Sequence, residues 1–529
     1  MNNIWIDAFL QEYKGMFFIS QVMVTLFLTL LGFVFVNILG KRDKEKTKVD
    51  FLMDLSLSFP VGLSIFIIVS YITLVVGIPY KNYVLGPMLV LILGVGIYIW
   101  VKRKALKGLL DIKKFAAVCI MMLVILVLFA ASGFMKISIS NDSLYYFWQY
   151  PRAICHYGGL RDQFDNFMTD TGLGAAIIGT LPFLFGFGET FGIQEFFHMS
   201  FLAYFGVVII NSCREDYKLD DKKSRVISGL SVLLLMTCTS SYILAHWAMS
   251  NMFFMEYFFI GLSLAYRFTK QSFEEDASIW ILGILIFACS SIRMEGGIFI
   301  LFLLFTASML NMTKRNILII TLPVVILQSA FELKIFITYV IDNPYIFLTK
   351  EKALLQFIVY MALIGYCVLI RDRLSKKLSD LLPMVLMLAL LGVNGGLCIL
   401  NSTIYISNLK AFFGNLTGQS GWGILPYVGF GAFVIILIWE LIINSKKRRS
   451  GKNLFDINKH VGAYWLYCGI SFLLITLAVA FARGDALNVN TGDSGNRVLL
   501  QITPIVIVTF VLWFVGLVVY EDNNAEEIF

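Results

Sequence analysis

At 529 residues, 58% hydrophobic and only 15% charged, the chain departs from soluble domains, in which about 25% of residues are charged. Its apolar residues come in blocks of about 20, the length at which a helix crosses about 30 Å of hydrocarbon, whereas barrel strands are about 10 residues long and alternate in polarity. The net charge of +7 arises in the loops between blocks and gives no reason to invoke nucleic acid, so composition and patterning predict an all-α polytopic membrane protein.

In chain order the candidate spans lie at 17–39, 52–78, 83–101, 115–135, 194–212, 226–246, 250–269, 278–292, 296–311, 317–339, 353–370, 381–399, 422–444, 461–482 and 498–519. The pair 278–292 and 296–311 is short for two crossings, because Arg293 and Glu295 interrupt the apolar run. It is read as two spans, the alternative being one kinked or re-entrant unit. A bundle of about 13–15 transmembrane helices is therefore expected.

About 70% of the 42 Lys and Arg fall in alternate connections, among them KRDKEKTK at 41–48, KRKALKGLLDIKK at 102–114 and the stretch from Lys446 to Lys459. Cytoplasmic loops carry that excess. The expected topology is a multi-pass cell-membrane protein with its N-terminus extracytoplasmic and its C-terminus cytoplasmic. The first 16 residues lack the features of a cleavable signal peptide. Of eight cysteines only Cys155 falls in an outer connection, which argues against a disulfide framework and a cysteine metal site.

The most informative segment is the long outer connection at 136–170. On a helical wheel Leu144, Phe147, Trp148, Pro151, Ile154 and Cys155 share one side, and Asp142, Tyr145, Gln149, Arg152 and His156 the other. That pattern predicts an amphipathic helix suited to the membrane interface, with Pro151 expected to kink it. The apolar, Gly-rich stretch TGLGAAIIGTLPFLFGFGE (171–189) follows. The charge count requires an odd number of crossings between 170 and 213, so this stretch reads as a second interfacial or re-entrant helix. Residues 136–189 then form an extracytoplasmic unit.

From residue 115 to the end, the chain resembles the GT-C glycosyltransferases that use polyprenyl-phosphate-linked sugars, such as protein O-mannosyltransferases and the aminoarabinose transferase of lipid A. The resemblance rests on the acidic residue followed by aromatics in NDSLYYFWQYP, the apolar segment ending in LFGFGE, the Arg-x-Glu-Gly-like SSIRMEGGIFIL and the late GNRVLLQITPIV. Three spans in residues 1–114 precede this module at 115–529, and Asn141-Asp142 stands where the family often has paired acids. The resemblance implies an inverting, membrane-integrated glycosyltransferase. It would move a sugar from a polyprenyl-phosphate donor to a hydroxyl of a glycan, lipid or protein acceptor on the extracytoplasmic face. A polysaccharide polymerase or ligase and a lipid-linked-glycan transporter are the alternatives, and a structural assembly protein is a third.

The residue types suit such chemistry independently of the resemblance. A phosphodiester oxygen leaves without protonation, so the acid–base pair of glycoside hydrolysis is unnecessary and one carboxylate can serve as general base. Asp142 is the candidate, its competing role being a helix N-cap. Charge developing on the donor phosphate calls for fixed cations, for which the planar fork of Arg is well matched. Arg293 and Arg497 lead, with lipid-headgroup anchoring as the alternative; Lys334 and Arg152 are further candidates. Glu295 is read chiefly as a partner that orients Arg293, and Tyr145, His156, Asp162 and Asp165 as supporting or acceptor-side groups. Asp162 and Asp165 alone are too few to argue for a divalent metal, and no cofactor is assigned. Glu332 and Lys334, two apart, do not face each other on a helix, so each needs another partner. The polar loop 484–497 reads as either a lid over the site or a solvated turn.

Overall fold

The computed structural model describes residues 4–40, 48–102, 145–160, 172–186, 191–236, 250–270, 278–293, 296–297, 299–301, 312–338, 349–370, 373, 376–413, 431, 435–436, 438, 461–484 and 500–526. Among them there is no strand. The helices are α1 (Ile4–Leu39), α2 (Lys48–Val76), α3 (Asn82–Lys102), a π-turn (Tyr145–Gln149) leading into α4 (Tyr150–Tyr157), α5 (Leu173–Phe185), α6 (Phe191–Glu215), α7 (Asp221–Met236) and α8 (Ser250–Lys270). There follow α9 (Ile279–Ile292), α10 (Lys314–Thr338), α11 (Lys350–Gly365) with a second π-turn (Tyr366–Ile370), α12 (Lys376–Leu400), α13 (Ser402–Phe413), α14 (Val461–Ala482) and α15 (Thr503–Glu526).

Eight helices among the described residues are long and apolar enough to cross a bilayer, and the chain is a polytopic α-helical membrane protein. Each coincides with an expected span. Of the other expected spans, 115–135 and nearly all of 422–444 lie outside the described residues. Helix α13 lies between the expected spans 381–399 and 422–444, where the sequence pattern predicts no helix.

Small residues let backbones meet. A Cβ on Gly32 of α1 would stand 2.6 Å from the amide nitrogen of Gly62 in α2, the close approach by which membrane helices gain contact where lipid gives no hydrophobic drive. The centre of the bundle is an aromatic seam joining α2, α6, α8 and α14. Phe59 meets Phe196 at 4.7 Å, Phe197 meets Tyr257 at 4.6 Å, and Phe259 stacks on Trp465 at 5.0 Å between ring centroids. The Tyr204 hydroxyl shares a hydrogen bond with Ser263 Oγ at 2.6 Å, so α6 and α8 run parallel.

The chain reverses after α9. Arg293 is extended (φ −127°, ψ 142°), and the Gly296 amide donates to its carbonyl at 2.9 Å. A Cβ on Gly296 would sit 2.9 Å from the Cys289 carbonyl, and one on Gly261 of α8 would sit 3.1 Å from Ile300 and 3.9 Å from Ile286. Residues 296–301 therefore return alongside α8 while α9 runs against it, which excludes a single kinked helix; the rest of 296–311 lies outside the described residues.

Helix α5, 13 residues and about 20 Å long, lies across one end of the bundle rather than through it. At its start Gly172, at φ +86°, lets the chain pass the end of α9; a Cβ there would come within 2.5 Å of the Ser291 carbonyl. Further on Thr180 Oγ1 meets the Tyr80 hydroxyl at 2.7 Å, and its last residues border Asn82 and Tyr83 at the start of α3. All these partners sit at helix ends. Leu173–Leu184 is buried at all but one position.

The segment before it corrects the wheel. The π-turn directly ahead of Pro151 places that proline in the first turn of α4, where a missing N–H costs nothing. The wider turn also shifts the register. Trp148 is 39% exposed while Phe147 and Tyr150 are each 4%, although the wheel put Trp148 on the same side as Phe147. The apolar face expected to rest on lipid meets protein instead: Phe147 stacks on Phe253 of α8 at 6.1 Å, and a Cβ on Gly179 of α5 would lie 3.2 Å from Phe147 Cα. An apolar stripe specifies burial, not whether lipid or protein supplies it.

Candidate functional site

Three chain segments far apart in sequence meet on one side chain at the end covered by α4 and α5. Asn251 stands in the first turn of α8. Arg293 Nη1 donates to its Oδ1 at 2.8 Å, and Gln501 Nε2 donates to the same oxygen at 2.6 Å. An amide oxygen has two lone pairs, and these bonds use both. Asn251 is 7% exposed and Gln501 3%, so the junction is desolvated and its geometry is fixed. Gln501 lies two residues before α15, and Phe253, two residues past Asn251, carries the Phe147 ring. SSIRMEGGIFIL and GNRVLLQITPIV are thus joined through α8, beneath the helix into which NDSLYYFWQYP leads.

Other sequence candidates fall elsewhere at this end. Lys334 Nζ donates to the Leu74 and Val75 carbonyls at 2.6 and 2.9 Å, capping the C-terminus of α2, where a cation is favoured by the helix dipole. Its expected neighbour on the helix, Glu332, finds separate partners: Gln356 Nε2 donates to Glu332 Oε1 at 3.2 Å and to the Tyr360 hydroxyl at 3.0 Å, and Tyr360 donates to Gln328 Oε1 at 3.1 Å. Each therefore has its own partners, as the two-residue spacing requires.

Arg152 is exposed on α4, its guanidinium 5.3 Å from the centroid of the Trp148 ring, a cation–π contact. His156 is exposed at the end of α4, edge-on to Tyr157 at 4.9 Å. The backbone of Tyr145 opens the π-turn. Asp142, Asp162, Asp165, Glu295 and Arg497 lie outside the described residues. Among the described residues no three His, Cys, Asp or Glu side chains are grouped to hold a metal ion.

Four features were absent from the sequence reading. Lys81 Nζ donates to the Cys155 and His156 carbonyls at 2.7 and 2.8 Å, closing α4 as Lys334 closes α2. The Tyr80 amide donates to the Gly158 carbonyl at 2.8 Å, tying the α2–α3 turn to α4. His198 Nδ1 lies 2.8 Å from Glu256 Oε1, and Gln501 completes the Asn251 junction. Gln501 left a signal, as a lone polar side chain between Leu500 and Ile502 ahead of Thr503-Pro504, and so did Glu256, a carboxylate within an apolar run. Burial pushes the Cys155 thiol up to about 12, against a smaller downward pull from Lys81.

Comparison with known family models, curated proteins and solved structures finds no match for this chain.

Proposed function

We propose that the protein is a membrane-integrated, inverting glycosyltransferase that moves a sugar from a polyprenyl-phosphate donor to an acceptor hydroxyl on the extracytoplasmic face. The observation that carries this reading is the convergence of Arg293 and Gln501 on Asn251. It draws together two of the four segments on which the GT-C resemblance rests, SSIRMEGGIFIL and GNRVLLQITPIV, and a third reaches the same helix through Phe147. In this reading Asn251 fixes the direction of the Arg293 fork, which with Arg497 receives the phosphate oxygens. Asp142, five residues before Phe147, takes the proton from the acceptor hydroxyl as that oxygen attacks the anomeric carbon. The C–O bond to phosphate breaks and polyprenyl phosphate leaves as the anion. The excess of Lys and Arg in the connections at the other end supports an extracytoplasmic position for this one.

The test is release of polyprenyl phosphate by purified protein in liposomes loaded with polyprenyl-phosphate sugars and hydroxyl acceptors. Acceptor-dependent release is expected. Donor binding without release under any acceptor favours a transporter, and failure to bind any such donor contradicts the proposal.

A further inference from the structure

We propose that the opposite end of the bundle carries a binding pocket for a phosphoethanolamine-type lipid headgroup. The inference is independent of the glycosyltransferase reading. A cavity of about 30 Å³ opens between α2, α6, α8 and α14, and Met53, Asn211, Glu215, Asp216, Arg267 and Trp465 are among its lining residues. About 10–15 Å³ admits one water-sized group, so the enclosed part takes two oxygens of a phosphate while the remainder of a headgroup stays at the mouth.

Two donors in the wall lack a strong acceptor. Trp465 is 1% exposed, and its buried indole N–H has no hydrogen-bond partner, although the Phe259 stack holds the ring in place. Leaving a buried donor unbonded is costly, and an acceptor in the cavity would relieve that cost. The hydrogen-bond contact of Arg267 is with Met53 Sδ, and a thioether is a weak acceptor. A guanidinium, an indole N–H and the Asn211 amide form a donor set suited to phosphate oxygens.

The acids select the ligand further. Glu215 and Asp216 line the same cavity and would repel a bare anion, whereas a zwitterion can offer its phosphate to Arg267 and Trp465 and its ammonium to the carboxylates. The position fits a lipid source, because Arg267 and Glu215 lie near the ends of α8 and α6, at the end where the Arg214–Asp221 pair begins a basic loop.

Native mass spectrometry of the full-length protein, delipidated and titrated with phosphatidylethanolamine or phosphatidylglycerol, tests the assignment. Phosphatidylethanolamine should survive activation that strips phosphatidylglycerol. Arg267→Lys, which loses the fork, should weaken retention about tenfold, and Trp465→Phe by a comparable factor. Glu215→Gln alters an exposed side chain and should narrow the gap between the two lipids. Equal retention of both lipids by the wild type, or unchanged retention in Arg267→Lys and Glu215→Gln, overturns the proposal. So does equal occupancy by millimolar inorganic phosphate or free phosphoethanolamine, which would identify a soluble source.

Discussion

Arg293 and Lys334 are both cations near the same end of the bundle, yet the protein uses them differently. Lys334, a compact ammonium on a flexible stem, is directed to two carbonyls that end α2, and Lys81 does the same for α4. Arg293 ends its own helix and is held by a side chain, Asn251, that Gln501 also holds. A cation in an apolar segment is therefore not by itself a binding site. What separates the two is the partner: helix carbonyls use the lysines to complete the fold, whereas a desolvated amide sets the direction of a guanidinium.

The largest effect should separate chemistry from holding. Asp142→Asn keeps size and most capping ability but cannot accept a proton, and should lower turnover about 10²–10⁴-fold with donor affinity nearly unchanged. A lost cap is worth only about 1 kcal/mol, so a small fall would return Asp142 to a structural role. Asn251→Ala comes next. With two donors deprived of their acceptor it should weaken donor binding about tenfold and lower the melting temperature as well. If Asn251→Asp, which keeps an acceptor oxygen, restores stability but not affinity, the junction serves binding beyond folding.

Lys334→Met should cost about 1 kcal/mol of stability and shift melting by about a degree or two, leaving turnover unchanged. The smallest effect concerns Cys155. Because the thiolate is the nucleophile and the thiol is pushed up to about 12 by burial, maleimide labelling near neutral pH should be slow and should rise about tenfold per pH unit. Peptide mass spectrometry would show it. A cysteine introduced at Asn166 can then report sidedness with little background, and its labelling from the cytoplasmic side alone would reverse the orientation.

The spans were legible because a helix in lipid must satisfy its own backbone and so announces itself as a block of about 20 apolar residues. Charge parity marks 171–189 as something other than a span, and α5, at 13 residues, is too short to cross about 30 Å. The register of 145–157 was not legible, since a π-turn has no reliable sequence mark and Trp148 turned outward. The separate partners of Glu332 and Lys334 followed from helix geometry, but their identities, Gln356 and the carbonyls of α2, depend on contacts across the bundle. The Asn251 junction was half visible: Arg293 and the segment holding Gln501 were singled out, while their meeting on one oxygen is a tertiary fact.

The most direct test is donor affinity measured side by side in Arg293→Lys and Lys334→Met, with a polyprenyl-phosphate sugar in liposomes. Arg293→Lys should bind about tenfold more weakly, because charge is kept and the bidentate fork is lost, while Lys334→Met binds as the wild type does. Equal affinity in Arg293→Lys and wild type, or a loss confined to Lys334→Met, would contradict the assignment of the phosphate to the Asn251 junction.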